Sequence, residues 1–322
     1  MCEKKDSIEI FNLHPLKIDE NTCVIRWNTT LPTHSIIEID DSEKIEKKDK
    51  LKKIHKITLQ NLKKDYKYKI QITSIDNNGN EIHKTISFKL ENLNFSPKIA
   101  VYHDTGAVPS SSLSIRRILK KIGVEAYLID SIDLMKKELD EYDGVIFPGG
   151  RAYLMAEKIK NSTPNIRRFV EDGGTFIGIC AGAYLASNVV NWEGIRYDRD
   201  VGYILSLFEG EAVGPIKEII DYDLDKYLNP YKITDIDILE DQPIKNYSIV
   251  YWGGSYFNIP DDSKQDVKVI AEYPIIKKPA IIRFKYGHGK VLLIGPHPEL
   301  IFDSNDLLLS NFIENQLKSL IS

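Results

Sequence analysis

The sequence predicts an all-β sandwich followed by an α/β domain with a mostly parallel sheet. Residues 7–92 contain short alternating strands separated by turn signals and no helical pattern. After residue 98, apolar strands alternate with amphipathic helices, an order that builds a parallel sheet with helices on both faces. The chain has 322 residues, enough for two domains of ordinary size. We expect domains at 1–95 and 96–322.

Composition excludes several classes of protein. The chain is 42% hydrophobic and 28% charged, which is typical of a globular protein. Its formal net charge of -4 gives no electrostatic case for binding nucleic acid. The cysteines number three and are widely spaced, which suits neither a disulfide framework nor a metal cluster. We expect no metal and no cofactor.

The chain start bears on where the protein resides. No apolar run is long enough to span a bilayer, so we expect no transmembrane segment. Residues 1–7 lack the apolar region of a signal peptide, which favours a cytoplasmic protein. Cys2, followed by polar residues, also suits a lipid-anchored envelope protein whose signal peptide has been removed, which is the less favoured alternative. Both alternatives stay open.

The first half has the strand spacing of a sandwich. Alternating stretches occur at residues 22–29, 34–40, 55–62 and 66–76. Residues 76–81 contain Asn78-Gly79, a pair that tolerates the positive φ of a tight hairpin. Leu62, six residues before Tyr68, resembles the tyrosine corner of fibronectin type III and related immunoglobulin-like sandwiches.

The remaining chemistry-bearing residues of this half are isolated. Cys23 lies in an alternating strand and is expected in the core. We expect structural or surface roles for four scattered histidines: His14, His34, His55 and His83. No catalytic cluster is predicted before the linker at residues 90–97.

The second half alternates strands and helices in a regular order. The predicted strands lie at residues 98–104, 124–130, 143–150 and 175–180, with helices at 110–123, 131–142 and 165–174. The run of serines at 110–112 predicts helix caps. Residues 195–245 show no clean period, and we interpret them as an insertion over the sheet edge. Strands, a hairpin turn containing His288 and a helix at 304–321 follow.

A glycine-flanked cysteine marks the turn between a buried strand and a helix. Gly178, Cys180 and Gly182 form a G-x-C-x-G motif, and a nucleophile on a sharp strand-to-helix turn needs small neighbours. The amides of the following helix favour the thiolate, and the N–H of Ala181 would face an oxyanion. The motif alone also suits a tight junction with a buried thiol.

A histidine and a carboxylate follow another apolar strand. His297 and Glu299 come directly after residues 290–294, which end at the same predicted sheet edge as Cys180. Thiol acyl-transfer chemistry needs an imidazole to move the proton and a carboxylate to orient that imidazole. By itself the pattern also suits a polar loop. Together with Cys180 it favours a catalytic triad.

The Pro-Gly-Gly turn supplies further candidates. Gly149 and Gly150 allow a close backbone approach to a ligand, so their amides are candidate oxyanion donors. Arg151 suits a substrate carboxylate, although a surface charge is an equal alternative. The substrate-binding candidates, chosen for their places near strand ends or in the elbow helix, are Tyr102, Asp104, Arg151, Tyr184 and Tyr256.

These motifs carry a family resemblance. Residues 98–322 resemble the class I glutamine amidotransferase-like superfamily, and within it the domain at the amino end of biotin–protein ligases. The stretches that carry it are "IAVYHDTGA", "VIFPGGRA", "FVEDGGTFIGICAGAYLAS", "YWGGSYF" and "GKVLLIGPHPE". The resemblance implies a flavodoxin-like sheet, with Cys180 as nucleophile, His297 as base and Glu299 as its orienting partner.

The resemblance leads to two hypotheses. The first is a thiol-dependent amidohydrolase that cleaves a small-molecule or peptide amide (glutamine-like, γ-glutamyl or peptide) through a thioester. The sequence shows no synthetase or biotin-ligase catalytic domain, so a glutaminase would need an ammonia-accepting or scaffold protein partner. The second is a catalytically silent binding module with the sandwich as its adaptor.

Overall fold

The computed structural model describes most of the chain as two compact units, which divide between Pro97 and Lys98. The described residues are 7–17, 20–40, 43–93, 97–136, 138–197, 205–220, 231–239 and 244–300. Cys2 and the helix predicted at 304–321 lie outside them, so the lipid-anchor alternative and that helix stay predictions. Among the described helices, none is both long and apolar enough to cross a membrane.

The first unit is antiparallel throughout its described strands. These are β1 (Ile10–Lys17), β2 (Cys23–Ile39), β3 (Glu43–Leu59), β4 (Lys67–Ile75) and β5 (Glu81–Lys89), followed by a 3₁₀ turn at Leu90–Asn92. The first half of β2 pairs with β1 and with the end of β3. Its second half pairs with β4 and with the start of β3, and β4 pairs with β5. This pairing is compatible with a β-sandwich, and the fibronectin type III-like assignment stays a prediction.

Two residues that look isolated in the sequence, Cys23 and His55, lie in the core of this unit. Cys23 is fully buried, and burial raises the pKa of its thiol to about 12. His55 is also fully buried, stacks on Trp27 at 4.9 Å between ring centroids, and hydrogen-bonds to Thr29 Oγ1 at 3.1 Å. Both side chains therefore belong to the core, as the alternating pattern indicates for Cys23.

Tyr68 has the geometry of a tyrosine corner. Its buried side chain packs against Phe88, and its hydroxyl oxygen accepts a hydrogen bond from the N–H of Lys63 at 2.6 Å. We expect Tyr68→Phe to lower the free energy of unfolding by about 1–3 kcal/mol, because the Lys63 N–H loses its partner. Urea unfolding measures this. The matched control is Tyr66→Phe, whose side chain is 46% exposed; an equal loss in both variants would contradict the account.

The second unit contains thirteen described strands and five α-helices. The strands are β6 (Lys98–Tyr102), β7 (Glu125–Ile129), β8 (Gly144–Phe147), β9 (Thr175–Ile179), β10 (Ser187–Trp192), β11 (Ile195–Tyr197), β12 (Phe208–Gly214), β13 (Lys232–Ile238), β14 (Ile244–Tyr251), β15 (Tyr256–Asn258), β16 (Lys268–Tyr273), β17 (Lys278–Tyr286) and β18 (Gly289–Ile294). The helices are α1 (Pro109–Lys121), α2 (Ser131–Met135), α3 (Ala152–Ile159), α4 (Thr163–Glu171) and α5 (Ala181–Ala186), with 3₁₀ turns at Glu138–Glu141 and Lys160–Ser162.

The main sheet of this unit is mixed. Among the described strands its order is β14-β13-β16-β17-β18-β9-β8-β6-β7. The five strands from β18 to β7 are parallel, whereas β14, β13, β16 and β17 are antiparallel to their neighbours. This corrects the prediction of a mostly parallel sheet. Short turns join β16 to β17 and β17 to β18, and such connections produce antiparallel neighbours.

The region interpreted as an insertion forms strands where the structure describes it. From residues 195–245, β13 joins the main sheet, and β11 and β12 join a smaller sheet in the order β11-β10-β12-β15. These segments are therefore part of the two sheets. Residues 198–204, 221–230 and 240–243 lie outside the described residues.

The parallel strands bring the site residues to one edge. In the register of the sheet, Ile146 is beside Ile177, and Ile179 is beside Ile294. The four strands β6, β8, β9 and β18 run in the same direction, so the residues that follow them share the carboxyl edge. This is the edge where ligands bind in parallel sheets.

Candidate active site

Cys180 occupies a strained turn between β9 and α5. Its φ of 47° and ψ of -102° are unusual for a residue with a side chain and cost roughly 1–3 kcal/mol. A Cβ on Gly182 would lie 2.2 Å from the carbonyl oxygen of Phe147, and one on Gly178 would lie 2.5 Å from that of Gly182. The two glycines of the motif therefore allow the elbow to pack against β8.

The sulfur is almost completely enclosed. Cys180 exposes 4% of its surface, and its Sγ donates a hydrogen bond to the carbonyl oxygen of Trp252 at 3.6 Å. Its N–H donates to the carbonyl of Ile294 at 2.8 Å, which ties the elbow to the end of β18.

His297 and Glu299 form a buried pair. The Nδ1–H of His297 donates to Oε1 of Glu299 at 2.9 Å, and the two side chains are 3% and 0% exposed. The N–H of His297 also donates to the carbonyl of Val250 at 2.8 Å, which fixes the backbone of the turn after β18. The Nε2 atom is buried and has no hydrogen-bond partner among the described residues. This leaves Nε2 available to a reacting group.

The protonation of His297 depends on both of its proposed partners. Burial by itself lowers the pKa of an imidazole, but the negative charges that Cys180 and Glu299 carry when ionised, together with hydrogen bonding to both side chains, more than offset it. The pKa of His297 is therefore raised well above its usual value. The sequence prediction that the three residues form one site is consistent with this electrostatic link, and their catalytic roles stay a prediction.

One more side chain, Ser111, contacts the pair formed by His297 and Glu299, and no sequence pattern indicated it. The hydroxyl of Ser111, in the first turn of α1, donates to Oε1 of Glu299 at 2.5 Å. The same hydroxyl oxygen accepts a hydrogen bond from the N–H of Gly149 at 3.0 Å. The predicted serine cap is wrong, because the N-cap of α1 is Val108 and no side chain caps the helix.

Two of the three candidate oxyanion donors remain free. The N–H of Gly149 donates to Oγ of Ser111, and its role as an oxyanion donor stays a prediction. In the described part of the chain, the N–H groups of Gly150 and Ala181 donate to no protein acceptor. The helix α5 has six residues, and its next amide, from Gly182, donates to Pro148 at 3.3 Å. Ala181 is therefore the donor of this helix that stays available.

Gly149 packs directly on the imidazole. A Cβ at this position would lie 2.2 Å from Cε1 of His297, and the backbone of Gly149 is held by hydrogen bonds at both its N–H and its carbonyl. We expect Gly149→Ala to displace His297 and to slow labelling of Cys180 by iodoacetamide about 100-fold. The matched control is Gly144→Ala at the start of β8, where the atoms nearest to an added Cβ are 3.2 Å away. Wild-type labelling in Gly149→Ala would contradict this packing.

The backbone over the thiol is fixed by side chains. The thiol of Cys180 donates to the carbonyl of Trp252, and tyrosine hydroxyls donate to the three consecutive carbonyls of residues 253–255. These are Tyr184 to Gly253 at 3.1 Å, Tyr251 to Gly254 at 2.9 Å and Tyr273 to Ser255 at 3.3 Å. Tyr184 is 3% exposed, so its hydroxyl serves this segment. Its role in substrate binding stays a prediction.

Two other substrate candidates also have structural roles. The hydroxyl of Tyr102 is fully buried, donates to the carbonyl of Thr105 at 3.0 Å, and has a pKa raised by burial. Asp104 accepts from the hydroxyl of Ser131 at 2.7 Å and from the N–H of Thr105 at 2.6 Å. Although burial opposes it, these hydrogen bonds and Lys158 lower the pKa of Asp104 to about 2. These polar groups hold the loop after β6, and the roles of both residues in substrate binding stay predictions.

The structure leaves the last two candidates open. Arg151 is exposed at the start of α3, and Tyr256 is partly buried in β15 with the Nζ of Lys278 5.9 Å from its ring centroid. No contact joins either to the triad among the described residues, so their roles stay predictions. In the same part of the chain, no group of three or more histidine, cysteine or acidic side chains is arranged to hold a metal ion.

The fold and the site define an α/β protein with a cysteine, a histidine and a glutamate at the carboxyl edge of its parallel strands. Comparison with known families identifies the family to which the chain belongs. Residues 97–320, more than half of the chain, match the family described as "Biotin-protein ligase, N terminal", and the chain belongs to this family. This confirms the resemblance to the domain at the amino end of biotin–protein ligases.

Several known proteins are similar to this chain. Biotin–protein ligase of Schizosaccharomyces pombe is 27% identical over 222 residues, which cover 65% of this chain and 34% of that enzyme. The matched part thus spans about a third of the length of that relative. The pyridoxal 5'-phosphate synthase subunit PdxT of Thermosipho africanus is 26% identical over 193 residues, covering 58% of this chain and 85% of PdxT. A glutamine amidotransferase structure from Thermotoga maritima is 13% identical, covers 70% of this chain and 98% of that chain, and has a TM-score of 0.44.

Proposed function

We propose that the protein is a thiol-dependent amidohydrolase with Cys180 as nucleophile, His297 as proton carrier and Glu299 as orienting carboxylate. The observation that carries the proposal is the buried imidazole, whose Nδ1 is fixed by Glu299 while its Nε2 has no partner among the described residues. An imidazole held in one orientation through Nδ1, with Nε2 left to exchange a proton with the reacting groups, is the arrangement that nucleophilic acyl transfer requires.

The reaction follows from these positions. The Cys180 thiolate attacks the amide carbonyl, and the oxyanion is stabilised by the N–H groups of Ala181 and Gly150. When the C–N bond breaks, Nε2 of His297 gives its proton to the leaving amine or ammonia, and a thioester remains. Water then attacks the thioester carbonyl while His297 takes its proton, and the C–S bond breaks with Cys180 Sγ as the leaving group. The products are a carboxylate and the restored thiol.

The finer fold assignment supports this proposal. The parallel strands have the order β7-β6-β8-β9-β18, which is 2-1-3-4-5 when they are counted along the chain. This is the order of flavodoxin-like doubly wound sheets, in which ligands bind at the carboxyl edge.

The first unit is, in this proposal, a separate fibronectin type III-like adaptor. The hydrogen bond that the Tyr68 hydroxyl accepts from Lys63 N–H supports this assignment.

A protein partner is part of the proposal. A glutaminase releases ammonia, and one relative is by name a synthase subunit. A partner that accepts ammonia, or that holds the enzyme on a scaffold, would give the released ammonia a use. Biotin–protein ligase activity is not assigned to this chain, because the match covers 34% of the ligase from Schizosaccharomyces pombe.

The second candidate function is a catalytically silent binding module. The observation that favours it is the enclosure of Cys180, which is 4% exposed and hydrogen-bonded to the backbone at Trp252. In that case the edge binds a ligand and the thiol is a packing residue.

An activity-based thiol probe separates the two candidates. We expect stoichiometric labelling of Cys180 in the wild type and none in Cys180→Ser, with a screen of glutamine, γ-glutamyl compounds and peptides then detecting ammonia or amine release. Cys23 provides an internal control, because its thiol is fully buried in the other unit. Absence of labelling at Cys180 by small probes would favour the binding module.

A further inference from the structure

We propose that Ser111 is a positioning residue of the candidate triad, which holds the Glu299 carboxylate against His297 and couples it to the Pro-Gly-Gly turn. This inference rests on the proposed function and deepens it by adding a fourth member. Ser111 is 188 residues from Glu299 in sequence, yet its Oγ lies 2.5 Å from Oε1 of that carboxylate. Both side chains are fully buried.

The hydrogen bonds form one continuous chain. The N–H of Gly149 donates to Oγ of Ser111, the hydroxyl donates to Oε1 of Glu299, and the same Oε1 accepts from Nδ1 of His297. The hydroxyl is thus both acceptor and donor, which fixes the direction of its proton toward the carboxylate. The second carboxylate oxygen, Oε2, is buried without a hydrogen-bond partner among the described residues.

This distribution shows what Ser111 contributes. Oε1 of Glu299 accepts one hydrogen bond from Ser111 and one from His297. These two donors together determine that Oε1, and not Oε2, faces the imidazole. Without the hydroxyl, Glu299 keeps one partner and can rotate about its terminal bond, since Oε2 is not held. The N–H of Gly149 would also lose its acceptor, and Gly149 packs directly on the His297 ring. Loss of one hydroxyl would therefore loosen the imidazole from two sides.

An ordinary structural role fits the geometry less well. A serine in the first turn of a helix commonly caps the backbone, but the cap position of α1 is Val108. The neighbouring Ser112 has the local role, because its hydroxyl donates to the carbonyl of Pro109 at 3.2 Å and contacts Nδ1 of His103 at 2.6 Å. Ser112 is equally buried, one position along the same helix. It therefore offers a matched control.

The test compares Ser111→Ala, Ser111→Thr and Ser112→Ala. The first readout is the Nδ1–H proton resonance of His297 in NMR spectra, which reports the hydrogen bond to Glu299 without any substrate. We expect it to move upfield or to be lost in Ser111→Ala, to return in Ser111→Thr, and to be unchanged in Ser112→Ala. The second readout is the rate at which iodoacetamide labels Cys180, which we expect to fall about 10- to 100-fold in Ser111→Ala alone.

The outcomes separate this inference from the proposed function. A wild-type resonance together with wild-type labelling in Ser111→Ala would overturn the role of Ser111. If wild-type Cys180 itself reacts no faster than an unassisted thiol, the proposed function fails, and the resonance still decides whether Ser111 holds the pair. Should Ser111→Ala not fold, Ser111→Cys keeps the size with a weaker donor, and the same resonance is expected to shift in that variant.

Discussion

Cys180→Ala is expected to abolish amide hydrolysis, lowering kcat by about four orders of magnitude or more, because no other group of the triad can form the thioester. The expected loss falls on kcat, since the amides of Gly150 and Ala181 remain in place to bind the substrate carbonyl. The measurement is steady-state release of ammonia or amine from whichever amide the substrate screen identifies. Mass spectrometry of the quenched wild-type enzyme should also show an acyl adduct on the peptide containing Cys180.

The control for this prediction is Cys23→Ala. That substitution also removes a fully buried thiol, but in the core of the other unit. We expect it to lower stability, as a core truncation does, and to leave kcat unchanged. Retention of activity in Cys180→Ala, or an equal loss in both variants, would show that the thiol at position 180 is a packing residue.

His297→Asn is expected to have the second largest effect, with kcat lowered by about 10³-fold to 10⁴-fold, and Glu299→Gln a smaller one. Asparagine removes the Nε2 that carries the proton. Glutamine keeps the size of Glu299 and an acceptor for Ser111, but it removes the negative charge that raises the pKa of His297. The order of the two effects, compared from kcat at saturating substrate, tests the assigned roles.

His288→Asn provides the matched control for the imidazole. His288 lies in the turn between β17 and β18, and its N–H donates to the carbonyl of Glu171. We expect this variant to keep wild-type kcat. A larger loss from His288→Asn than from His297→Asn would place the proton carrier elsewhere.

Sequence patterns could place the candidate site residues at one edge because strand direction determines where strand ends meet. The strands before Gly149, Cys180 and His297 could be recognised from their runs of apolar residues. Parallel neighbouring strands bring their carboxyl ends to one edge of the sheet. The glycines around Cys180 also carried a readable signal, since each occupies a place where a Cβ would collide with backbone. These features depend on local residue type and strand polarity.

Other parts of the site depend on contacts that no local pattern records. Ser111 meets Glu299 across 188 residues, and a run of three serines at a helix start resembles an ordinary cap. The signal available in the sequence was a proline at the first helical position, which makes a cap by the later serines less natural. Tyr102 and Tyr184 stood near the predicted edge, but the direction of their hydroxyls depends on the packing of distant backbone.

The most direct test of the account is the pH dependence of iodoacetamide labelling at Cys180 in the wild type and in His297→Asn. The pKa of His297 is raised well above its usual value, so under the proposed function the imidazole keeps its proton to higher pH than a free histidine and can pair with the nucleophile. We predict rapid wild-type labelling that persists at pH 6, and labelling in His297→Asn that falls about tenfold per pH unit below pH 8, as for an unassisted thiol. Identical profiles for the two proteins would contradict the claim that His297 activates Cys180.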